Sequence, residues 1–300
     1  MSLSDYIYDG TRHFDIAKVS RDETKLCKDK NEAAAKMAEN EKKLDELQQK
    51  LYAEKKEGLI IIFQAMDAAG KDGTITHVLQ CLSPHGVYEA AFKAPSAVEL
   101  AHDYLWRVAR EVPAKGEIAI FNRSQYEDVL IGSVRELYKT QAHADRIKDA
   151  DVINNRLKDI RHFEEYLYHN SVRTIKIFLN VSKDEQAERF LARIDEPEKN
   201  WKFSSGDVEE RKYWDKYMDA FETAVNATAT KENPWYVVPA DHKWYMRYVV
   251  SEIILKTLQE MKPEYPVVTD ERRADFAALR ESLLKELPAE KAEKYLSKKD

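Results

Sequence analysis

Cysteine is scarce in this chain of 300 residues: Cys27 and Cys81 lie far apart, and no CxxC spacing is present. No apolar run approaches the roughly 18 residues needed to span a bilayer. The opening MSLSDYIYDG lacks a charged stretch followed by an apolar one. These absences lead us to expect a soluble, cytoplasmic protein with no membrane partner. Positive charge is not in excess either. A formal net charge of −6 excludes a protein that coats nucleic acid through a basic surface, so a polyanionic ligand would need a local basic cleft. Internal repeats and low-complexity linkers are missing too. What the chain does have is 43% hydrophobic and 34% charged residues, charge-rich but too apolar for disorder. Its length suits one sizeable core with appendages, or two modest domains.

Residues 30–57 form a stretch free of glycine and proline, with Met37, Leu44, Leu47 and Leu51 on a helical stripe. From residue 58 the pattern changes to short apolar runs: LIIIFQ (59–64), VYEAAF (87–92), EIAIF (117–121), VRTIKIFLN (172–180) and WYVVPA (235–240). Helical segments are expected between them near 71–82, 96–111, 151–169, 183–194, 206–229 and 242–262. Alternating strands and helices predict right-handed βαβ units around a buried parallel sheet of five strands. Pro263 and Pro266 close this domain, and Phe276, Leu279, Leu283 and Leu287 mark one more helix. The expected division is a helical extension over 1–57, a main domain over 58–265 and a helical tail over 266–300.

The first strand runs into AMDAAGKDG, a small-residue loop from Ala65 to Gly73 that opens a helix. Such a loop binds phosphate when backbone N–H groups and the helix N-terminus converge on an anion and a lysine reaches its outer oxygens. Gly70 and Lys71 match the second glycine and the lysine of that motif, while Ala65 and Asp72 replace its first glycine and its metal-binding hydroxyl. A carboxylate is no simple substitute for that hydroxyl, so Asp67 is the nearest candidate metal ligand. The alternative is an ordinary turn with one exposed lysine. After EIAIF comes Asn122-Arg123-Ser124-Gln125-Tyr126-Glu127-Asp128. At the carboxyl end of its strand this block would share a crevice with the loop, and Arg123, Glu127 and Asp128 supply the cation and carboxylates that phosphoryl transfer needs. Alternatively, Asn122 or Ser124 caps a helix whose first turn favours acidic residues.

Downstream of the fourth strand, Arg189, Arg193, Lys199 and Lys202 punctuate a segment interrupted at Pro197, with the pattern of two helices joined by a basic elbow. A lid over about 185–215 would close on phosphates and exclude water, and Arg189 and Arg193 lie one helical turn apart. A solvated charged face is the plainer reading. Trp201, Tyr213, Trp214 and Tyr217 could stack on a base, although aromatics at helical spacing usually form core.

The ordered set FQAMDAAGKDG, HGVYEAAFKAPS, FNRSQYEDVL, FLNVSKDEQAERFLARIDEPEKNWKFS and RKYWDKYMDAFE resembles the polyphosphate kinase 2 family from about residue 25 to about residue 265. The resemblance implies a P-loop NTPase-like αβα fold with a helical lid, similar to nucleoside monophosphate kinases, and phosphorylation of nucleotides by polyphosphate with Mg²⁺, Mn²⁺ being the alternative metal. It carries Asp67 and Lys71 over as loop carboxylate and phosphate-binding lysine, and Asn122 and Arg123 as the start of a Walker-B-like block. FNRSQYEDVL is similar to the class III branch, which accepts monophosphates and diphosphates, whereas the diphosphate-restricted branch has Asp at the position of Asn122 and lacks Glu at that of Glu127. The expected catalytic residues are therefore Asp67, Lys71, Arg123, Glu127 and Asp128. Ala68, Ala69, Gly70, Asp72, Gly73, Asn122, Arg189 and Arg193 are expected to bind phosphate or nucleotide, and Asp67 with Asp128 to hold the metal. The implied partners are polyphosphate, AMP, ADP and ATP, with guanine nucleotides as alternatives, and further copies of the chain in a dimer or tetramer. An ATP-dependent nucleoside monophosphate kinase is the competing reading.

Overall fold

All five apolar runs become strands in the computed structural model, which describes residues 2–296. In chain order the strands are β1 (Ile7–Tyr8), β2 (Gly58–Ala65), β3 (Val87–Ala91), β4 (Ile118–Asn122), β5 (Val172–Asn180) and β6 (Trp235–Pro239). The run LIIIFQ carries no polar alternation because β2 is covered on both faces, and Ile60, Ile61, Ile62 and Phe63 are at most 1% exposed. Each such burial is worth about 1.5–3 kcal/mol.

The helices of the first compact unit, which ends at Glu264, are α1 (Lys30–Glu54), α2 (Lys71–Leu79), α3 (Ala97–Leu100), α4 (Trp106–Ala109), α5 (Ile131–Val134), α6 (Asp149–His169), α7 (Lys183–Asp195), α8 (Ser205–Glu210), α9 (Trp214–Thr228) and α10 (Lys243–Met261). Asp29 caps α1 through the backbone N–H groups of Asn31 and Glu32. Leu44 and Leu51 of α1 are buried, and the helix packs on α10, which in turn packs on α2. On β5 and against α9 lies α6, with Leu157, Ile160 and Leu167 buried as its periodicity predicts. The second unit begins at Tyr265 and contains α11 (Asp270–Glu286) and α12 (Ala289–Leu296), with Thr269 accepting from the Arg272 N–H at the start of α11.

The sheet order is β1-β6-β5-β2-β4-β3. The five predicted strands are parallel to one another, and a sixth, β1, pairs antiparallel with β6 through Ile7↔Tyr236 and Tyr8↔Trp235. Two residues in a polar stretch are too few to show period-two alternation, so β1 is invisible in the sequence. The single helix expected over 96–111 is broken into α3 and α4, because the Asp103 side chain accepts from the Leu105 N–H and turns the chain. Central β2 lies between β4 and β5, in register through Phe63↔Asn122 and Ala65↔Leu179. The loops after β2, β4 and β5 therefore open at one edge of the sheet, where open α/β folds bind ligands.

Candidate active site

Two backbone positions in the left-handed region shape the loop after β2. Gly70 adopts φ +102°, accessible only to glycine, and Ala68 adopts φ +60°, which costs an L-residue about 1 kcal/mol. Arg189 of α7 holds this loop from behind. Its Nη1 donates to the carbonyls of Ala68 (3.1 Å) and Ala69 (2.5 Å), its Nη2 to those of Ala240 (2.6 Å) and Asp241 (3.0 Å), and its Nε to Glu185 (2.7 Å). The neighbouring Gln186 donates to the Asp67 carbonyl at 2.8 Å. Every nitrogen of the buried guanidinium is committed to protein oxygens. Arg189 is thus a buttress of the loop, where the sequence suggested a direct phosphate contact.

In front of the loop, α2 starts with Lys71 and Asp72, and Gly73 is exposed in its first turn. Lys71 Nζ donates to Asn122 Oδ1 and to Asp72 Oδ1, the latter at 3.2 Å. Asn122 Nδ2 donates to Asp72 Oδ1 (3.1 Å) and Glu89 Oε1 (2.7 Å). Glu89 escaped the sequence reading because it sits inside an apolar run. The register Ala91↔Asn122 puts it on the same face as Asn122. Burial alone would raise the pKa of Asp72, but Lys71, donation from Asn122 and the positive charge of Lys202 bring it below its ordinary value.

Arg123 follows β4 with φ +65°, and its N–H donates to the Phe63 carbonyl at 3.1 Å, which turns the guanidinium back over the first loop. Its Nη2 lies 3.1 Å from Asp67 Oδ1 and its Nη1 3.9 Å from Glu127 Oε2. Strained residues at both loops are consistent with a functional site. The Gln64 amide satisfies its neighbours when its nitrogen faces Glu127 Oε1 (2.8 Å) and its oxygen faces the Ser124 hydroxyl and N–H (3.1 Å each). Burial pushes the Glu127 carboxyl above its ordinary pKa; Arg123 and Lys71 oppose that rise, and Asp67 adds to it. Ser124 caps the turn by accepting from the Tyr126 N–H at 3.2 Å. Beneath it Tyr126 donates to Glu164 (2.8 Å), which accepts from the fully buried Lys176 at 2.5 Å.

Asp128 points elsewhere. Its carboxylate lies 3.6 Å from Arg156 Nη1 and 3.9 Å from Arg107 Nη2, at the edge of a cavity of about 690 Å³ that all three residues help line. Burial raises its pKa while the two arginines pull it down. Among the described residues it shares no ion-pair partner with Asp67, so the two expected metal ligands do not form a pair. No group of three His, Cys, Asp or Glu side chains suited to a metal is found among the described residues. Asp67 itself fits a divalent ion. Arg123 occupies Oδ1, Oδ2 has no hydrogen-bond partner among the described residues, and the side chain is 35% exposed. Mg²⁺ takes few protein ligands and completes its shell with phosphates and water.

The expected lid comprises α7, a 3₁₀ turn at Pro197–Lys202, α8 and a second 3₁₀ turn at Arg211–Tyr213. Arg193 is tied within it, donating to the Lys202 carbonyl (3.3 Å) and lying 3.4 Å from Asp207. Asp207, also missed by the sequence reading, senses the negative charge of Asp67: burial first and then Asp67 raise its pKa, and Arg193 opposes them. Trp214 and Tyr217 are core, whereas Trp201 is 78% exposed, with Lys202 Nζ 4.8 Å above its ring.

Residues 27–266 match the family model described as Polyphosphate kinase 2. The chain is 48% identical over 253 residues to the ADP-polyphosphate phosphotransferase of Rhodopseudomonas palustris, covering 81% of this chain and 85% of that one. It is 43% identical over 254 residues to the AMP/ADP-polyphosphate phosphotransferase of Meiothermus ruber, covering 84% and 91%. Its structure is similar to the crystal structure of Polyphosphate Kinase 2 from Arthrobacter aurescens TC1, with a TM-score of 0.85, 40% identity and coverage of 94% of this chain and 98% of that one.

Proposed function

The chain belongs to the polyphosphate kinase 2 family, and on that premise we propose that it transfers the terminal phosphoryl group of inorganic polyphosphate to both AMP and ADP. The observation that carries the chemistry is the meeting of Lys71, Asn122, Arg123, Asp67 and Glu127 at the adjoining ends of β2 and β4. The two relatives differ in the acceptors their names give. Asn122 with Glu127, the pair by which the sequence resembles the dual-acceptor branch, supports the wider range. AMP is thus converted to ADP, and ADP to ATP.

In the forward direction a phosphate oxygen of the nucleotide forms a bond to the terminal phosphorus as the bond from that phosphorus to the bridging oxygen breaks. Polyphosphate leaves one unit shorter, and the negative charge of the attacking oxygen reappears on the leaving one. One phosphoanhydride bond is exchanged for another, so the direction follows concentrations. Lys71 and the N–H groups at the start of α2 bind the oxygens of the donor end. Arg123, held by Asp67 and Glu127, faces the charge that spreads over the transferring group. Glu127 orients the acceptor. Mg²⁺ is the divalent metal we propose: Asp67 would hold it, and once bound it would neutralise phosphate charge, while Asp128 keeps two buried arginines in place. The lid over about 185–215 excludes water from the transfer.

Incubating the protein with polyphosphate, AMP and Mg²⁺ in the absence of ATP tests this reading. ADP and then ATP are expected. If nucleotide products form only when ATP is the donor, the chain is an ATP-dependent nucleoside monophosphate kinase instead.

A further inference from the structure

Under the turn that follows β4 lies an ion pair closed off from solvent. Glu164 of α6 and Lys176 of β5 are 1% and 0% exposed, and Lys176 Nζ donates to Glu164 Oε2 at 2.5 Å and to the Thr228 carbonyl at 3.0 Å. Burial pushes the Glu164 carboxyl above its ordinary pKa and the Lys176 ammonium below its own, and each charge opposes the shift of the other. Apolar residues of similar volume often stabilise a fold as well as such a pair does, or better, so stability alone gives no account of it. What the pair holds is the turn. Its other carboxylate oxygen, Glu164 Oε1, accepts from Tyr126 Oη at 2.8 Å and from Gln125 Nε2 at 3.3 Å. The Tyr126 hydroxyl also lies 2.9 Å from that of Thr228, which accepts from Trp235 Nε1 at 2.9 Å, and the indole meets the phenol edge-on at 4.7 Å. Two successive buried residues of the 3₁₀ turn Gln125–Asp128 are thus fixed from α6, β5, α9 and β6. The next residue is Glu127, whose carboxylate faces Arg123 and Gln64. One planar peptide unit separates Tyr126 from Glu127, so a shift of the Tyr126 backbone turns the Glu127 side chain with it.

We propose that the Glu164–Lys176 pair is a positioning device for the acceptor side of the reaction: Glu164 holds Tyr126 and Gln125, and the turn so fixed aims the Glu127 carboxylate at the acceptor nucleotide. Lys176 is the counter-ion of the buried carboxylate. This inference rests on Glu127 orienting the acceptor. Being buried, Glu164 and Lys176 act through Tyr126 and Gln125, and a displacement of well under an ångström at a positioned group is enough to lower the rate.

The test is the ratio of kcat/KM for AMP to kcat/KM for ADP, with long-chain polyphosphate as donor. The folded fraction of a sample cancels in this ratio, so a purely structural role does not move it. A Glu164→Leu/Lys176→Met variant, which removes both charges and the acceptor oxygens, is expected to lower the ratio about tenfold. Glu164→Gln/Lys176→Met, which keeps an oxygen opposite Tyr126 and Gln125, should retain most of it, and Tyr126→Phe should lower it by a smaller factor. In a Glu127→Gln background the leucine variant should lower the ratio no further, since both changes act through one carboxylate. An unchanged ratio in the leucine variant, or a further tenfold fall in the Glu127→Gln background, overturns the proposal. If the leucine variant does not fold, Tyr126→Phe decides by the same two criteria. Should Glu127→Gln itself leave the ratio unchanged, the acceptor assignment fails separately. Amide hydrogen exchange over residues 124–130 then decides the positioning claim: faster exchange confined to that stretch in Tyr126→Phe supports it, and exchange equal to that of wild type overturns it.

Discussion

Glu127 and Asp128 are adjacent in sequence yet belong to two unlike regions. Glu127 joins Arg123 and Asp67, whose side chains are 41% and 35% exposed, at the open end of the sheet. Asp128 joins Arg107 and Arg156, 9% and 7% exposed, on the other side of the 3₁₀ turn Gln125–Asp128. The same residue types thus make an accessible cluster with strained backbone and a buried cluster with paired charges. Arg123 and Arg189 repeat the lesson. One guanidinium faces the crevice, whereas the other has its nitrogens taken by four carbonyls and a carboxylate. Residue type therefore does not reveal whether a charge serves the reaction or the scaffold; its committed partners do.

The largest effect expected from the open region is that of Lys71→Met. Removing one positioned donor to the transferring phosphates should lower kcat/KM about 10²- to 10³-fold, with little change in thermal unfolding, since among the described residues Lys71 hydrogen-bonds only to Asp72 and Asn122. A variant that loses stability in step with activity would show that Lys71 belongs with the scaffold. Next, Asp67→Asn is set against Asp128→Asn. Asp67→Asn should raise the Mg²⁺ concentration for half-maximal rate about tenfold, as expected when one of few metal ligands loses its charge. Asp128→Asn should leave that concentration unchanged, because this carboxylate is committed to Arg107 and Arg156 and not to the crevice. Matching shifts in Mg²⁺ requirement would erase the distinction between the regions.

Much of this was legible beforehand. The five parallel strands announce themselves through apolar runs bounded by turns, and the two loops through AMDAAGKDG and NRSQYED. β1 was not legible, being two residues that gain strand geometry only by pairing with β6. In the site, Asp67, Lys71 and Arg123 stand out because they lie in the stretches that follow β2 and β4. Glu89 and Gln64 did not, because polar residues inside apolar runs look like interruptions until register places them beside Asn122 and Ser124. The roles of Asp128 and Arg189 depend on partners 20 or more positions away, Arg107, Arg156 and Ala240 among them, and such pairings leave no periodic trace.

The smallest expected effect is also the most discriminating one. Burial raises the Glu127 pKa above that of an ordinary carboxylate, so the folded chain holds this proton more tightly than the unfolded chain does. Between the ordinary value and the raised one the native state binds more protons. Through that window this residue makes stability fall as pH rises, and the ionised form at neutral pH is the less stable one. Glu127→Gln should remove this contribution, making the variant slightly more stable than wild type at neutral pH while the two converge under mildly acidic conditions. Denaturant midpoints at both pH values measure the difference. If Glu127 orients the acceptor, the same variant should lose more kcat/KM with AMP than with ADP, linking a small gain in stability to a selective loss of function. Asp128→Asn, at a carboxylate held by Arg107 and Arg156 away from the crevice, should instead affect the two acceptors equally.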